Sequence, residues 1–215
     1  MLKADARSVY AAAARSLLGE GAATNSTQAL LTSERPQLDG LPNDPQWQAA
    51  MSRQQMVSLK ESSGPSGRRD IVMVTRDEEY LYLYVRCYKS DRFGYREHNK
   101  ASRQRDADLS RQDRIKFIFD VDRDLSSAWN LQIDWRGEVH ESCGSDASWD
   151  PQMYVARHAD DRVWSIECAI ELDDLRSLGS SDRWRWAVER VAEPVTDSGF
   201  WPNGKVDVGR VLSFP

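Results

Sequence analysis

Apolar side chains recur at every second position in a series of short segments, and Gly, Pro, Asp and Ser fill the gaps between them. The segments are 70–76, 80–88, 114–122, 128–135, 152–158, 162–171, 184–192 and 209–214. A period of two sends successive side chains to opposite faces of a strand. Strands at this spacing, without long helices between them, predict an all-β protein: an antiparallel β-sandwich, jelly-roll-like in its strand pattern. One short helical interruption is expected near 172–177, and no internal repeat is visible.

The alternation sorts individual residues. Leu81, Leu83, Val85 and Cys87 form one face of their strand, and Tyr82, Tyr84 and Arg86 form the other. Ile115, Phe117, Phe119 and Val121 point inward, leaving Arg114, Lys116, Ile118 and Asp120 outward. Trp129, Leu131, Ile133 and Trp135 oppose Asn130, Gln132 and Asp134. Trp164, Ile166, Cys168 and Ile170 oppose Ser165, Glu167 and Glu171, while Trp184, Trp186 and Val188 oppose Arg185 and Glu189. Five of the eight tryptophans are thereby assigned to the core. Trp47, Trp149 and Trp201 fall in loops or short turns, where a ring is able to act as a stacking platform.

Ahead of the strands, residues 5–18 follow a helical period, with Asp5 as cap, Val9, Ala12, Ala13 and Leu17 on one stripe, and Gly19 and Gly21 at the end. Residues 22–35 are small and polar and read as a linker. The expected organisation is a helix and linker over 1–35, part of an upstream domain, and one sandwich over 36–215. A lone amphipathic helix cannot bury its own stripe, so it is expected to dock on the sandwich, on another copy or on an upstream domain, and other domains of a longer chain are expected partners.

Composition narrows the function. The chain has 215 residues, 40% of them apolar and 29% charged, with a net charge of −5. That balance argues against a nucleic-acid partner. No apolar run reaches membrane-spanning length, so no membrane insertion is expected, and the N-terminus lacks a signal-peptide pattern. Cys87 and Cys168 fall on the inward parity and are expected as buried thiols, with Cys143 in a loop. One loop stands apart: between Lys89 and Arg111 lie seven Lys or Arg against four acids, together with Phe93, Tyr95 and His98.

Recognisable catalytic motifs are missing: there is no G-x-S-x-G elbow, no Gly-rich phosphate loop and no H-E-x-x-H. The expectation is therefore a binder rather than an enzyme. His140 and Cys143 offer one zinc-type pair with no second pair to complete it. Asp120, Asp122 and Asp124 alternate along one run, a spacing that suits either calcium or a polar turn whose aspartates cap backbone groups.

The order of the segments resembles a known family. Leu38-Asp39-Gly40 followed by Asp44-Pro45-Gln46-Trp47, then Glu79 to Val85, Gln112 to Asp120, Val163 to Ile170 and Val208 to Phe214 are similar, in that order, to the motifs of family-nine carbohydrate-binding modules and their DOMON-like relatives. The resemblance spans roughly 36–215. It implies a non-catalytic, glycan-binding β-sandwich in a larger extracellular or periplasmic protein, with structural calcium as a possible cofactor. It also implies a sugar held between two rings, with polar groups from an outward sheet face fixing its hydroxyls. Trp201 corresponds to one ring, and Lys116, Gln132, Asp134 and Glu189 to the polar partners, with Arg86 as a further hydrogen-bonding group. Alternation alone had already placed those four polar residues outward. The second ring position is Ser110 here, with Phe93, Tyr95 and Trp149 as substitutes, and Lys116 replaces an acid. The DOMON side of the resemblance implies a different chemistry, haem-binding electron transfer through Met, His or Lys ligands. Met51, Met56, Met73 and Met153 are the available thioethers. A sandwich that only presents a surface to neighbouring domains is the third reading.

Overall fold

The computed structural model describes residues 26–52, 56–58, 70–91, 93–96, 106–124, 127–144, 146, 148–176, 182–191 and 210–214. The helix expected over 5–18 lies outside these residues, as does Trp201. Among the described residues there are twelve strands: β1 (Ser26–Gln28), β2 (Leu30–Leu31), β3 (Met56–Ser58), β4 (Ile71–Arg76), β5 (Tyr80–Tyr88), β6 (Arg114–Asp120), β7 (Trp129–Asp134), β8 (Val139–Cys143), β9 (Met153–Ala159), β10 (Val163–Glu171), β11 (Arg183–Val191) and β12 (Arg210–Ser213). Two helices accompany them in the described residues, α1 (Pro45–Ser52) and α2 (Leu172–Arg176).

The strands form two sheets. The first has the order β1-β12-β11-β6-β7-β8, and the second β2-β4-β5-β10-β9, with β3 also on β4. Their facing sides form the core, and it is the inward set given by alternation: Leu81, Leu83, Val85, Cys87, Ile115, Phe117, Phe119, Leu131, Ile133, Ile166, Cys168 and Ile170 are buried together. Trp129, Trp135, Trp164, Trp184 and Trp186 all lie in that cluster. Apolar burial on this scale is the main favourable term in folding. All three cysteines are free thiols, and burial pushes the Cys87 thiol well up.

Pairing is antiparallel except at one margin, so both sheets are mixed. β1 runs parallel to β12 and β2 parallel to β4, with buried Ala29 carrying the chain from one sheet to the other. Ala29 N–H donates to Ser213 O at 2.9 Å and Thr32 N–H to Arg76 O at 2.7 Å. Residues 26–31 are therefore part of the sandwich rather than linker, and the domain begins ahead of Pro36. Two and three residues are too few to show a period, which is why Ser-Thr-Gln-Ala-Leu-Leu reads as linker in sequence.

The outer side of the second sheet is covered from within the chain. Helix α1 lies across it, burying Ala50 and Trp47 against Ile71, Met73, Tyr82, Tyr84 and Ala169. Trp47 has no exposed surface, so it is a core ring and not the platform that its loop position allowed. Its indole Nε1 donates to Glu167 Oε1 at 2.6 Å, and the Glu167 Oε2 accepts from the Asp39 and Gly40 N–H groups at 2.8 and 2.7 Å. Ser165 Oγ donates to Gly40 O at 2.6 Å. Gly40 has φ +83°, and a Cβ there would stand 2.4 Å from His158 N, so only glycine lets this turn lie on β9. The Asp-Gly and Trp motifs are thus two ends of one latch closed on a buried carboxylate.

A second buried group ties the sheets at one end. Arg190 of β11 donates to Asp113 Oδ1 and Oδ2 at 3.0 and 2.7 Å, to Asp70 Oδ2 at 2.7 Å and to Tyr88 O at 2.7 Å. Trp164 Nε1 adds a 2.8 Å bond to Asp113, and the Tyr95 hydroxyl another. One guanidinium thereby joins the first sheet to the ends of β4 and β5 in the second.

Candidate functional site

The outer side of the first sheet has no counterpart to α1 among the described residues, and strand register builds it into a grid. Lys116 of β6 lies opposite Gln132 of β7 and Glu189 of β11, and Gln132 lies opposite His140 of β8. This gives a polar row across four strands: His140, Gln132, Lys116, Glu189. Directly opposed residues on one face have Cβ atoms about 4.5–5.5 Å apart. The next row is Ser142, Asn130, Ile118, Ala187. Ile118 and Ala187 pack with Ala128 into a small buried apolar patch. Beyond it, Asp120 faces Arg185 across β6 and β11, and at the other end Asp134 faces Arg114.

Strand β6 is the floor of this face, buried in all seven residues, with Lys116 at 4% exposure and Arg114 at 1%. Asn130, Gln132, His140, Ser142 and Glu189 are half-buried and form the accessible rim. Arg114 is fixed by its Nε, which donates to Gln132 Oε1 at 2.7 Å, and by its Nη1, which donates to the carbonyls of Leu109, Ser110 and Gln112 at 3.1, 3.5 and 3.3 Å. Burial lowers the Arg185 pKa, and the carboxylate of Asp120 opposes that shift.

Of the six binding residues expected from sequence, Lys116, Gln132 and Glu189 meet in one row. Asp134 lies at the end of the face, but its carboxylate is engaged by the β7–β8 turn: it accepts from Arg136 N–H (2.8 Å), Glu138 N–H (3.1 Å), Arg136 Nε (2.8 Å) and Arg136 Nη2 (2.6 Å). Its role is to hold that turn. Asp134→Ala is expected to lower the free energy of unfolding by about 2 kcal/mol in urea titrations, the scale of leaving buried donors unmet. Arg86 stands on the other side of the sandwich, between Ile71 and Ser165 on the outer side of the second sheet, and cannot share a ligand with Lys116. Trp201 lies outside the described residues. His140 and Ser142 were missed, since β8 carries too little apolar alternation to be recognised, whereas Asn130 was placed outward but not among the binding residues.

The substitute rings are elsewhere. Tyr95 is held by Asp113 and packs edge-on to Trp135, and Phe93 packs on Tyr95 at 4.8 Å. Trp149 stacks on the core ring Trp129 at 4.2 Å. All three are partly buried against the main core, not on the outer grid. Among the thioethers, Met153 belongs to the main core and Met73 to the cluster under α1.

Asp120, Asp122 and Asp124 do come together, with oxygens within 4.8 Å of one another. They supply three oxygens of the six to eight that calcium takes. Asp122 and Asp124 also serve the turn, accepting from Asp124 N–H at 3.3 Å, Ser127 N–H at 3.1 Å and Ser127 Oγ at 3.3 Å. The run is thus a capped turn in which three carboxylates lie close together.

The arrangement of the two sheets has counterparts among solved structures. The fold is that of carbohydrate-binding module family 9. A family 9 module from Caldicellulosiruptor kristjanssonii, solved in complex with cellotriose, superposes with a TM-score of 0.56 at 12% identity, covering 88% of this chain and 93% of that one. The same module with glucose gives 0.55 at 12% identity, over 88% and 95%. A protein from Bacteroides uniformis gives 0.55 at 10% identity, over 88% and 98%. No family model matches the sequence, and no curated protein matches it. Among the described residues no helix is long and apolar enough to cross a membrane.

Proposed function

We propose that this domain is a non-catalytic carbohydrate-binding module that takes a glycan on the outer side of its first sheet. The observation that supports this most is the registered row His140, Gln132, Lys116 and Glu189 beside the apolar patch of Ile118, Ala128 and Ala187. The half-buried amide and imidazole groups of Gln132, Asn130 and His140 suit the hydroxyls of a sugar ring. Trp201 is proposed as the stacking ring, on the strength of the resemblance in sequence. The module acts within a larger extracellular or envelope protein whose other domains it serves.

Isothermal titration with cello-, xylo- and uronate-type oligosaccharides tests the assignment. Gln132→Ala and Trp201→Ala are each expected to weaken binding at least tenfold, about 1.4 kcal/mol. Unchanged affinity in both variants, or no binding of any glycan to the wild type, overturns it. Calcium at Asp120, Asp122 and Asp124 is a further part of the proposal, of the weak extracellular kind with Kd about 10⁻⁴–10⁻³ M. Addition of about 10 mM calcium is then expected to raise Tm by a few degrees, an effect that EDTA reverses. A Tm unmoved by calcium removes this part alone.

A further inference from the structure

We propose a second sugar-binding site, for a neutral pyranose, on the outer side of the second sheet, where Tyr80 and Tyr154 flank Glu171 and Gln152. The choice of a sugar rests on the carbohydrate-binding reading above; the place does not. Strand register builds the site. Tyr80 of β5 lies opposite Glu171 of β10, whose N–H donates to Gln152 O at 3.0 Å. In the next row Ala169 lies between Tyr82 and Tyr154. Tyr82 and Ala169 are buried in the cluster under α1. Tyr154 is 51% exposed, one of two large apolar side chains that stand open among the described residues.

The rings are positioned before any ligand arrives. Tyr80 and Tyr154 meet edge to face, with centroids 6.1 Å apart. Gln152 Nε2 donates to both hydroxyls, at 3.3 Å to Tyr80 and 3.0 Å to Tyr154. Asp174 Oδ2 accepts the Gln152 backbone N–H at 2.6 Å. Tyr80 also packs beside Tyr82, whose hydroxyl donates to Asp77 Oδ2 at 2.6 Å. Groups already fixed lose little freedom when they bind.

The chemistry left open selects the ligand. The Glu171 carboxylate and the Gln152 Oε1 accept no hydrogen bond among the described residues. A carboxylate takes sugar hydroxyls in charge-assisted hydrogen bonds, and the open Tyr154 ring suits the C–H face of the same sugar. Tyrosine rings beside a carboxylate also suit a cation. Here, however, Arg35 already lies over Tyr80 at 5.1 Å, paired with Asp77 and Glu79 at 3.1 and 2.6 Å. The chain supplies its own cation, and a second would meet like charge. A uronate would meet Glu171, so the neutral sugar is favoured.

Titration with cellohexaose and with xylohexaose, followed by backbone amide NMR, is the test. The amides of Gln152, Tyr154 and Glu171 are expected to shift with at least one of the two sugars. Tyr154→Ala is expected to abolish those shifts and Glu171→Gln to weaken the binding they report severalfold, with shifts on the first sheet unchanged in both. Shifts confined to the first sheet, or second-sheet shifts untouched by both variants, overturn this site and leave the carbohydrate reading standing. Second-sheet shifts produced by choline and by neither sugar assign the rings to a cation and also overturn it. Shifts confined to the second sheet support the site and remove the first-sheet placement. Silence of both sheets with both sugars overturns the two readings together.

Discussion

Replacing Arg190 with methionine is expected to lower the free energy of unfolding by about 3–5 kcal/mol, the scale found when one partner of a buried ion pair is removed. Methionine fills much of the space of the arginine stem, so the loss is electrostatic rather than a cavity effect. What remains is two buried carboxylates, Asp70 and Asp113, that had shared one guanidinium. The same guanidinium bonds the Tyr88 carbonyl and stacks over Trp164 at 5.7 Å. Urea unfolding followed by tryptophan fluorescence measures the change. Adding Asp113→Asn and Asp70→Asn to the Arg190 variant removes the stranded charges and is expected to recover part of the loss. A single-variant loss under about 1 kcal/mol shows that the clamp does not hold the two sheets together.

Glu167→Ala is expected to cost about 3 kcal/mol or more. Three donors, the N–H groups of Asp39 and Gly40 and the Trp47 indole, lose their acceptor inside a covered face, and each buried unmet donor costs about 1–3 kcal/mol. The change also releases the latch of α1, so acrylamide quenching of Trp47 is expected to rise. A quenching profile identical to wild type counts against the latch. Burial raises the Glu167 carboxyl above its ordinary value of 4.5, against the pull of its three donors. With the pKa raised in the folded state, this group's stabilising contribution is fully present below the ordinary value and is lost as pH rises through the shifted one. Glu167→Gln is therefore expected to flatten the decline in stability across that window, measured against wild type at matched pH.

Legibility in the sequence followed element length and periodicity. Strand β5 was readable to the residue, because nine positions alternate without interruption. Strands β1, β2 and β3, at two or three residues, contain no period to read, and their places depend on β12 and β4. Helix α1 did leave a signal in Asp44-Pro45, a cap followed by proline at the first helical position. Its eight residues showed too weak an apolar stripe to be recognised, since only Gln46, Trp47 and Ala50 are buried.

The candidate site divides in the same manner. Alternation placed Lys116, Gln132 and Glu189 outward, because side-chain parity is a local property of each strand. It gave Arg86 the same label, since parity says which residues share a side of one strand but not which strands share a sheet. Only the register shows that Arg86 belongs to the second sheet and that His140 completes the row of the first. The outward label also concealed burial: Glu167 and Tyr84 are covered by α1.

By itself, the sequence determined the sandwich class, the inward residues of its main strands and the core place of five tryptophans, all consequences of period two and apolar burial. The tertiary structure alone decided which outward side is closed by α1 and that Asp39, Gly40 and Trp47 close on Glu167. It also decided that a polar row is assembled across β8, β7, β6 and β11. These depend on contacts between residues as much as 128 positions apart, which no local pattern encodes.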